Sequence, residues 1–291
     1  MQPLHLSQRI AVTALVVFAL VSCGQQRAGD VAGCLARGGQ TDVATVTLPT
    51  GRTIVIDRTE VTNAAFAAFV EATGYVTRAE RGLPEPEYNT LPEEARRPGS
   101  AVFVPPATGT TQINPMSWWA FKEGADWRRP GGPGTSIEGK DEHPVIHIAY
   151  EDAVAYAEWA GRRLPDAEEW EYAARGGLEA MRFEWGDRAI THRDANYWQG
   201  IFPFQNTGAD GHLGTSPVGC FPANGYGLHD MSGNVWEWTT TEIDRGQRLL
   251  KGGSFLCANN YCSNFRPGGE QPQEASLGTS HIGFRTVMDV E

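Results

Sequence analysis

Gly161-Arg-Arg-Leu-Pro-Asp-Ala-Glu-Glu-Trp-Glu-Tyr-Ala-Ala-Arg-Gly-Gly177 is the best-punctuated stretch of the chain. Asp166 is a good N-cap, and Glu169, at the third helical position, can reach back to it in a capping box. Gly176-Gly177 ends the helix, since glycine takes the left-handed conformation that stops one. Working back, Glu151–Ala160 reads as a helix with Val154, Ala157 and Trp159 apolar, and Pro144–Ala149 as a strand. Thr62 caps an amphipathic helix over Asn63–Thr73, with Phe66, Phe69 and Val70 on one face and Gly74 as its stop. Thr45–Leu48, Thr53–Asp57 and Ala101–Val104 look like strands, and 80–100 otherwise like a Pro/Glu/Arg-rich loop. Trp118, Trp119 and Trp127 fall in a loop-like region ending near Pro133. Working forward, nothing beyond residue 178 is long or periodic enough for a regular element. Short strands and ordered loops are expected there, and their backbone polar groups need partners.

The 291 residues can bury one large core or two small ones, and no repeat or linker divides 43–291. Gly (34), Pro (18) and Trp (9) are all high, which suggests loop-rich architecture with aromatic anchors rather than a helix bundle or a doubly wound sheet. The formal net charge of −11, with no stripe of Lys or Arg, argues against nucleic-acid binding.

Residues 1–22 read as an export signal. Arg9 supplies the positive n-region, Ile10–Leu20 the apolar core, and Leu20-Val-Ser-Cys23 resembles a bacterial lipoprotein cleavage box with Cys23 as the lipidated residue. A plain cleaved signal or a single membrane anchor is the alternative, although the apolar run falls short of the roughly 20 residues a spanning helix needs. Residues 23–42 are small and polar, a tether leading to one domain over 43–291. The expected location is therefore the bacterial cell envelope, lipid-anchored on its periplasmic or surface side. Such a compartment allows disulfides. Cys34 and Cys220 form a plausible structural bridge if Cys257 and Cys262 are otherwise employed.

Lys251-Gly-Gly-Ser-Phe-Leu-Cys257-Ala-Asn-Asn-Tyr-Cys262 puts two cysteines five positions apart after a Gly-Gly turn. Such a pair can form a disulfide, do redox chemistry, or hold Cu(I) or Zn(II). Asp230-Met-Ser-Gly-Asn-Val-Trp-Glu237 alternates acidic and small residues, a loop able to wrap Ca²⁺ or merely to be solvated. His143 and His147 are separated by Pro144 and a β-like Val-Ile, which argues against a helical metal pair.

Asn224–Trp238, Lys251–Cys262 and Ser280-His-Ile-Gly-Phe-Arg285, in that order and spacing, resemble the formylglycine-generating enzymes. The similarity runs from about Ile56 to Val287 and includes Ile56–Asn63, Trp118–Trp127 and Gly161–Gly177. The resemblance implies an α+β fold like that of C-type lectins, with little regular structure and calcium-stabilised loops. It implies copper- and O2-dependent oxidation of a cysteine in an unfolded sulfatase-type Cys-x-Pro-x-Arg peptide to Cα-formylglycine. Cys257 and Cys262 would hold Cu(I), Ser254 would lie by the substrate cysteine, and Trp236 would wall the oxygen site. One structural Ca²⁺ would take Asn196, Asp210 and the carbonyls of Tyr197 and His212. A second would take Asp230, Glu237 and the carbonyls of Gly233 and Val235. His281 falls where substrate-facing polar residues are expected, and Glu270 stands where relatives carry an arginine in the substrate groove. A monomer is expected. Two rivals remain: an inactive binding or assembly module of the same fold, made plausible by Glu270, and an iron-dependent sulfoxide-forming oxygenase, which would need three histidines.

Overall fold

The computed structural model describes residue 34 and residues 43–83, 93–106 and 114–290. The signal segment, Cys23 and the tether apart from Cys34 lie outside the described residues. None of the described helices is long and apolar enough to cross a membrane.

The locally signalled elements form as their residues dictate. Helix Asn63–Thr73 starts where the Thr62 hydroxyl accepts from Ala65 N at 3.2 Å, and ends where Gly74, at φ 69°, donates to Val70 O. Its buried Phe66 and Phe69 meet Trp127, Tyr156 and Phe284 edge-on or stacked, with centroids 5.3–6.4 Å apart. Helix Ala167–Arg175 carries the expected capping box, with Asp166 accepting from Glu169 N and Glu169 from Asp166 N. The helix between them covers Tyr150–Trp159, one residue earlier than its spacing suggests.

Three expectations are corrected. Pro144–Ala149 is no strand: its backbone bonds run to Val61 on one side and Thr279 on the other, and a segment split between two partners builds no ladder. His147 turns there at φ 63°, its ring held by Ser100 Oγ at 2.8 Å and Pro130 O at 2.9 Å. The Trp118–Trp119 region is regular, a single 3-10 turn Pro115–Trp118 followed by strand Trp119–Glu123, which pairs antiparallel with Gly99–Phe103. The third correction is the largest. Strand Trp236–Asp244 runs nine residues and pairs antiparallel with Gln247–Lys251, which pairs in turn with Glu270–Glu274. Ile282–Gly283 adds a parallel fourth strand on the far edge. The long strand escapes a period-two reading because its first four residues are all buried, so no polar face alternates.

Val287–Asp289 returns to pair with Thr53–Asp57, which also pairs with Val43–Thr47, so the last strand joins the first two in one sheet. Cys34 is bonded to Cys220, the bridge left open by the sequence.

Candidate functional site

The site is built by the turn after strand Gln247–Lys251. Gly252 and Gly253 sit at φ 95° and 76°, where L side chains are strained. A Cβ on Gly253 would also lie 2.7 Å from the Phe265 Cα. The double glycine turns Ser254 fully inward, and Cys257 N then donates to Ser254 O at 2.9 Å. Ala258 N donates to Cys262 O at 3.0 Å and closes the next loop, which brings the second cysteine back over the first. The two sulfurs stand 3.3 Å apart and unbonded, Cys257 buried and Cys262 half-buried.

One proton is shared within this pair. The hydrogen bond from Cys257 lowers the Cys262 thiol to about 7, against the opposing effect of burial. The same bond, and then burial, push Cys257 well above the ordinary thiol range. The pair therefore favours a Cys262 thiolate accepting from a Cys257 thiol, so two soft sulfurs stand together, with Ser254 bonded to Cys257 beside them. Such a donor set fits a soft monovalent metal better than a hard one.

Ser254, Trp236, Cys257, Cys262 and His281 line one cleft of about 140 Å3. These come from three separate places in the chain: Trp236, the loop carrying Ser254, Cys257 and Cys262, and His281. Trp236 N donates to His281 O, and the parallel pairing of Ile282 with Trp236 sets the two side by side. The His281 ring packs on Trp119 at 4.8 Å, with Nδ1 2.7 Å from Thr279 Oγ1. Burial, and secondarily His147, lower its pKa to about 3, so the imidazole stays neutral. Aromatic walls come from Phe103, Trp118, Trp119, Phe202 and Tyr261, and Gln271 closes the rim. The aromatic walls of the cleft were not singled out from sequence, although the Trp118-Trp119 pair was visible there.

Glu270 is placed differently from the expectation. Gln271 lines the cleft, whereas the exposed Glu270 carboxylate stands 4.0 Å from Lys251 Nζ. Successive strand residues face opposite sides, so the acid points away from the sulfurs. The other histidines do not gather: His143 bonds Thr215, and His147 is locked between Ser100 and Pro130.

The first oxygen set suits a hard cation. Tyr197 O and Asp210 Oδ2 converge on one point, filled here by the Gln199 amide nitrogen at 2.6 and 2.5 Å. Asn196 is anchored beside it through Gly214 and Asn234, and His212 N donates to Asp210 Oδ1. The second set departs from expectation. Both Glu237 oxygens are taken, by Arg285 Nε and Nη2 at 2.7 Å and by Trp170 Nε1 at 2.7 Å, all fully buried. Although burial opposes the charge, Glu237 raises the Arg285 pKa above its ordinary value. In this structure the partner of Glu237 is thus a guanidinium, and the Glu237 side chain does not fit a metal-ligand role. Asp230, at φ 56°, accepts from Gly219 N, with Gly233 and Val235 following in the same buried loop. Beside them Glu60 Oε2 is buried with no hydrogen-bond partner among the described residues. Burial, and then Asp230, raise the Glu60 carboxyl well above its usual range.

Comparison with known proteins places this geometry in context. Residues 18–290 match the model of the sulfatase-modifying factor enzyme 1-like domain. A formylglycine-generating enzyme of Mycobacterium tuberculosis is 46% identical over 290 residues, covering 89% of this chain and 97% of that one. The enzyme of the same name from Thermomonospora curvata is 42% identical, covering 86% of each chain. A Bos taurus protein named inactive C-alpha-formylglycine-generating enzyme 2 is 38% identical, covering 86% of this chain and 80% of that one. Among solved structures, PvdO from Pseudomonas aeruginosa shares the fold, with a TM-score of 0.55 at 22% identity and 82% of each chain covered.

Proposed function

Because the chain belongs to the formylglycine-generating enzyme family of sulfatase-modifying factors, we propose that it oxidises a cysteine of an unfolded sulfatase-type Cys-x-Pro-x-Arg peptide to Cα-formylglycine, with O2 as oxidant and Cu(I) held by Cys257 and Cys262. The observation that carries this is the pair of sulfurs 3.3 Å apart, unbonded, and facing a cleft with no Asp, Glu, Lys or Arg among its described lining residues.

When bound, Cu(I) supplies the one-electron reactivity toward O2 that thiols alone lack. The protein's own contribution is positional. Cys262 is the sulfur that ionises first and Cys257 the one that keeps a proton, so the pair offers a thiolate without a separate base. Ser254, fixed by the double-glycine turn, sets the depth to which a substrate thiol can enter. Trp236 and the surrounding aromatic rings exclude water from a reactive intermediate. His281 presents a neutral ring, which leaves the incoming thiol its proton until it reaches the sulfur pair.

Structural calcium at Asn196, Tyr197, Asp210 and His212 belongs to the proposal, supported by the two oxygens that converge on the Gln199 amide. At the Asp230 loop the buried, unpartnered Glu60 oxygen favours extra positive charge, while Glu237 is held by Arg285. We also place the chain outside the cytoplasm, lipid-anchored at Cys23; the Cys34–Cys220 bridge supports an oxidising compartment. The inactive cattle relative makes a binding module the second reading, against which stand both cysteines and Ser254 on an open cleft.

The test is direct. Cu(I)-loaded protein is given a Cys-x-Pro-x-Arg peptide under air, and aldehyde is sought by mass spectrometry. The proposal predicts aldehyde that disappears in Cys257→Ser and Cys262→Ser. No aldehyde with bound copper confirmed would leave the binding module.

A further inference from the structure

A second hollow adjoins the cysteine cleft. It measures about 420 Å3, within the roughly 300–1,000 Å3 typical of small-ligand sites. The two concavities share Phe103 and Leu256 as a common wall. Trp198, Phe204, Leu213 and Phe255 form most of its surface, and its polar groups are Asn206 and Ser280. Both of these are already employed, since Asn206 Oδ1 accepts from Gln199 N and Gly208 N, and Ser280 Oγ accepts from Phe103 N. In a chain with 20% charged residues, no Asp, Glu, Lys or Arg is among the described residues lining either hollow.

Two large apolar side chains on this surface are left in water. Leu213 is 71% exposed and Phe204 is 41% exposed. Leu213 leans on Gly208, where an added Cβ would lie 3.1 Å from it, and Phe204 is held by a turn in which its N–H donates to Ile201 O. Tyr261, 54% exposed, continues the patch around the cysteine cleft. A contiguous apolar patch at a cleft mouth marks a binding surface more often than scattered exposed residues do.

We infer that this groove is a second subsite of the same site, one that takes large apolar side chains flanking the target cysteine of the substrate polypeptide. The inference rests on the proposed function, and the continuity of the two hollows carries it. Cys257 is only 2% exposed, so a substrate thiol must be pushed to the bottom of the small cleft while its backbone stays at the mouth. An extended chain advances about 3.3 Å per residue and alternates its side chains. A residue two to four positions before the target cysteine, or one just past the motif's arginine, therefore comes near the groove with Leu213 and Phe204. With no Asp, Glu, Lys or Arg in the described lining, and the Asn206 amide and Ser280 hydroxyl as its polar groups among eight apolar residues, burial of apolar area is the main thing the groove can reward. Burying one such side chain contributes about 1.5–3 kcal/mol, or roughly 10- to 100-fold in affinity.

Binding is measured by fluorescence anisotropy with labelled Cys-x-Pro-x-Arg peptides whose cysteine is replaced by serine, so that no turnover is needed. Three peptides are compared: Leu/Phe flanks before the motif, the same flanks after it, and Gly/Ser on both sides. The full chain is expected to bind one Leu/Phe-flanked peptide about tenfold or more tightly than the Gly/Ser peptide. In Leu213→Ser and Phe204→Ser that ratio should fall toward one, with thermal melts confirming that both variants fold. Equal affinity for all three peptides, or a preference that both variants retain, overturns the groove. So does a dimer seen by light scattering that Leu213→Ser dissociates, because a second copy of the chain would then be the occupant. Aldehyde formation is read separately with the cysteine-containing peptides, so failure of the chemistry and failure of the groove give different results.

Discussion

Helix Ala167–Arg175 and the loop Gly252–Cys262 are of similar length, and both depend on glycines at positive φ, yet they are held in opposite ways. The helix closes on itself: its capping box lies within four residues, and its stop is the adjoining Gly176. The loop borrows its order from afar. Trp198 N supports Cys257 O, Asn234 O supports Phe255 N, and Phe265 packs against Gly253. The functional cleft sits on the borrowed side, where position depends on many distant contacts at once.

The buried ion pair beneath that side gives the largest expected effect. Arg285→Met leaves Glu237 buried with only Trp170 as partner, and should cost about 3–5 kcal/mol by denaturant unfolding. A loss under 1 kcal/mol would mean that another group compensates Glu237 once the guanidinium is gone. Next comes a matched pair of glycines. Gly74→Ala meets open space and should cost only the left-handed strain, about 1–2 kcal/mol. Gly253→Ala adds overpacking against Phe265, about 1–3 kcal/mol more, and should also separate the sulfurs. If the two substitutions cost the same, the loop is far more yielding than its contacts suggest.

What was legible follows the same division. Thr62, Gly74, Asp166, Glu169 and Gly176 announce their helices because each acts on backbone within four residues. The cysteine pair and Ser254 were likewise visible as a motif. Strand Trp236–Asp244 was not, since burial on both faces erases alternation. Nor was the pairing of Glu237 with Arg285, which joins residues 48 apart. The side to which Glu270 points depends on the register of an edge strand, Lys251 opposite Glu270, and no local signal records that.

The thiol pair provides a chemical version of the comparison. Iodoacetamide should modify Cys262 with a rate that rises through a midpoint near pH 7, while Cys257 stays protected until the protein is denatured. A midpoint near the ordinary thiol value of about 8.5 would show that the shared proton is absent. The smallest effect lies on the self-contained side. Asp166→Ala should remove about 1 kcal/mol with the cap and leave the alkylation rate of Cys262 unchanged.

The most direct measurement is a count of free thiols in mature protein isolated from its own host, alkylated after denaturation without reductant and read by intact mass. Two modified cysteines, mapped by peptide to Cys257 and Cys262, are predicted, with Cys34 and Cys220 protected as a disulfide. Modification of neither Cys257 nor Cys262 would show the pair bonded to itself, and would contradict a site built on two available sulfurs.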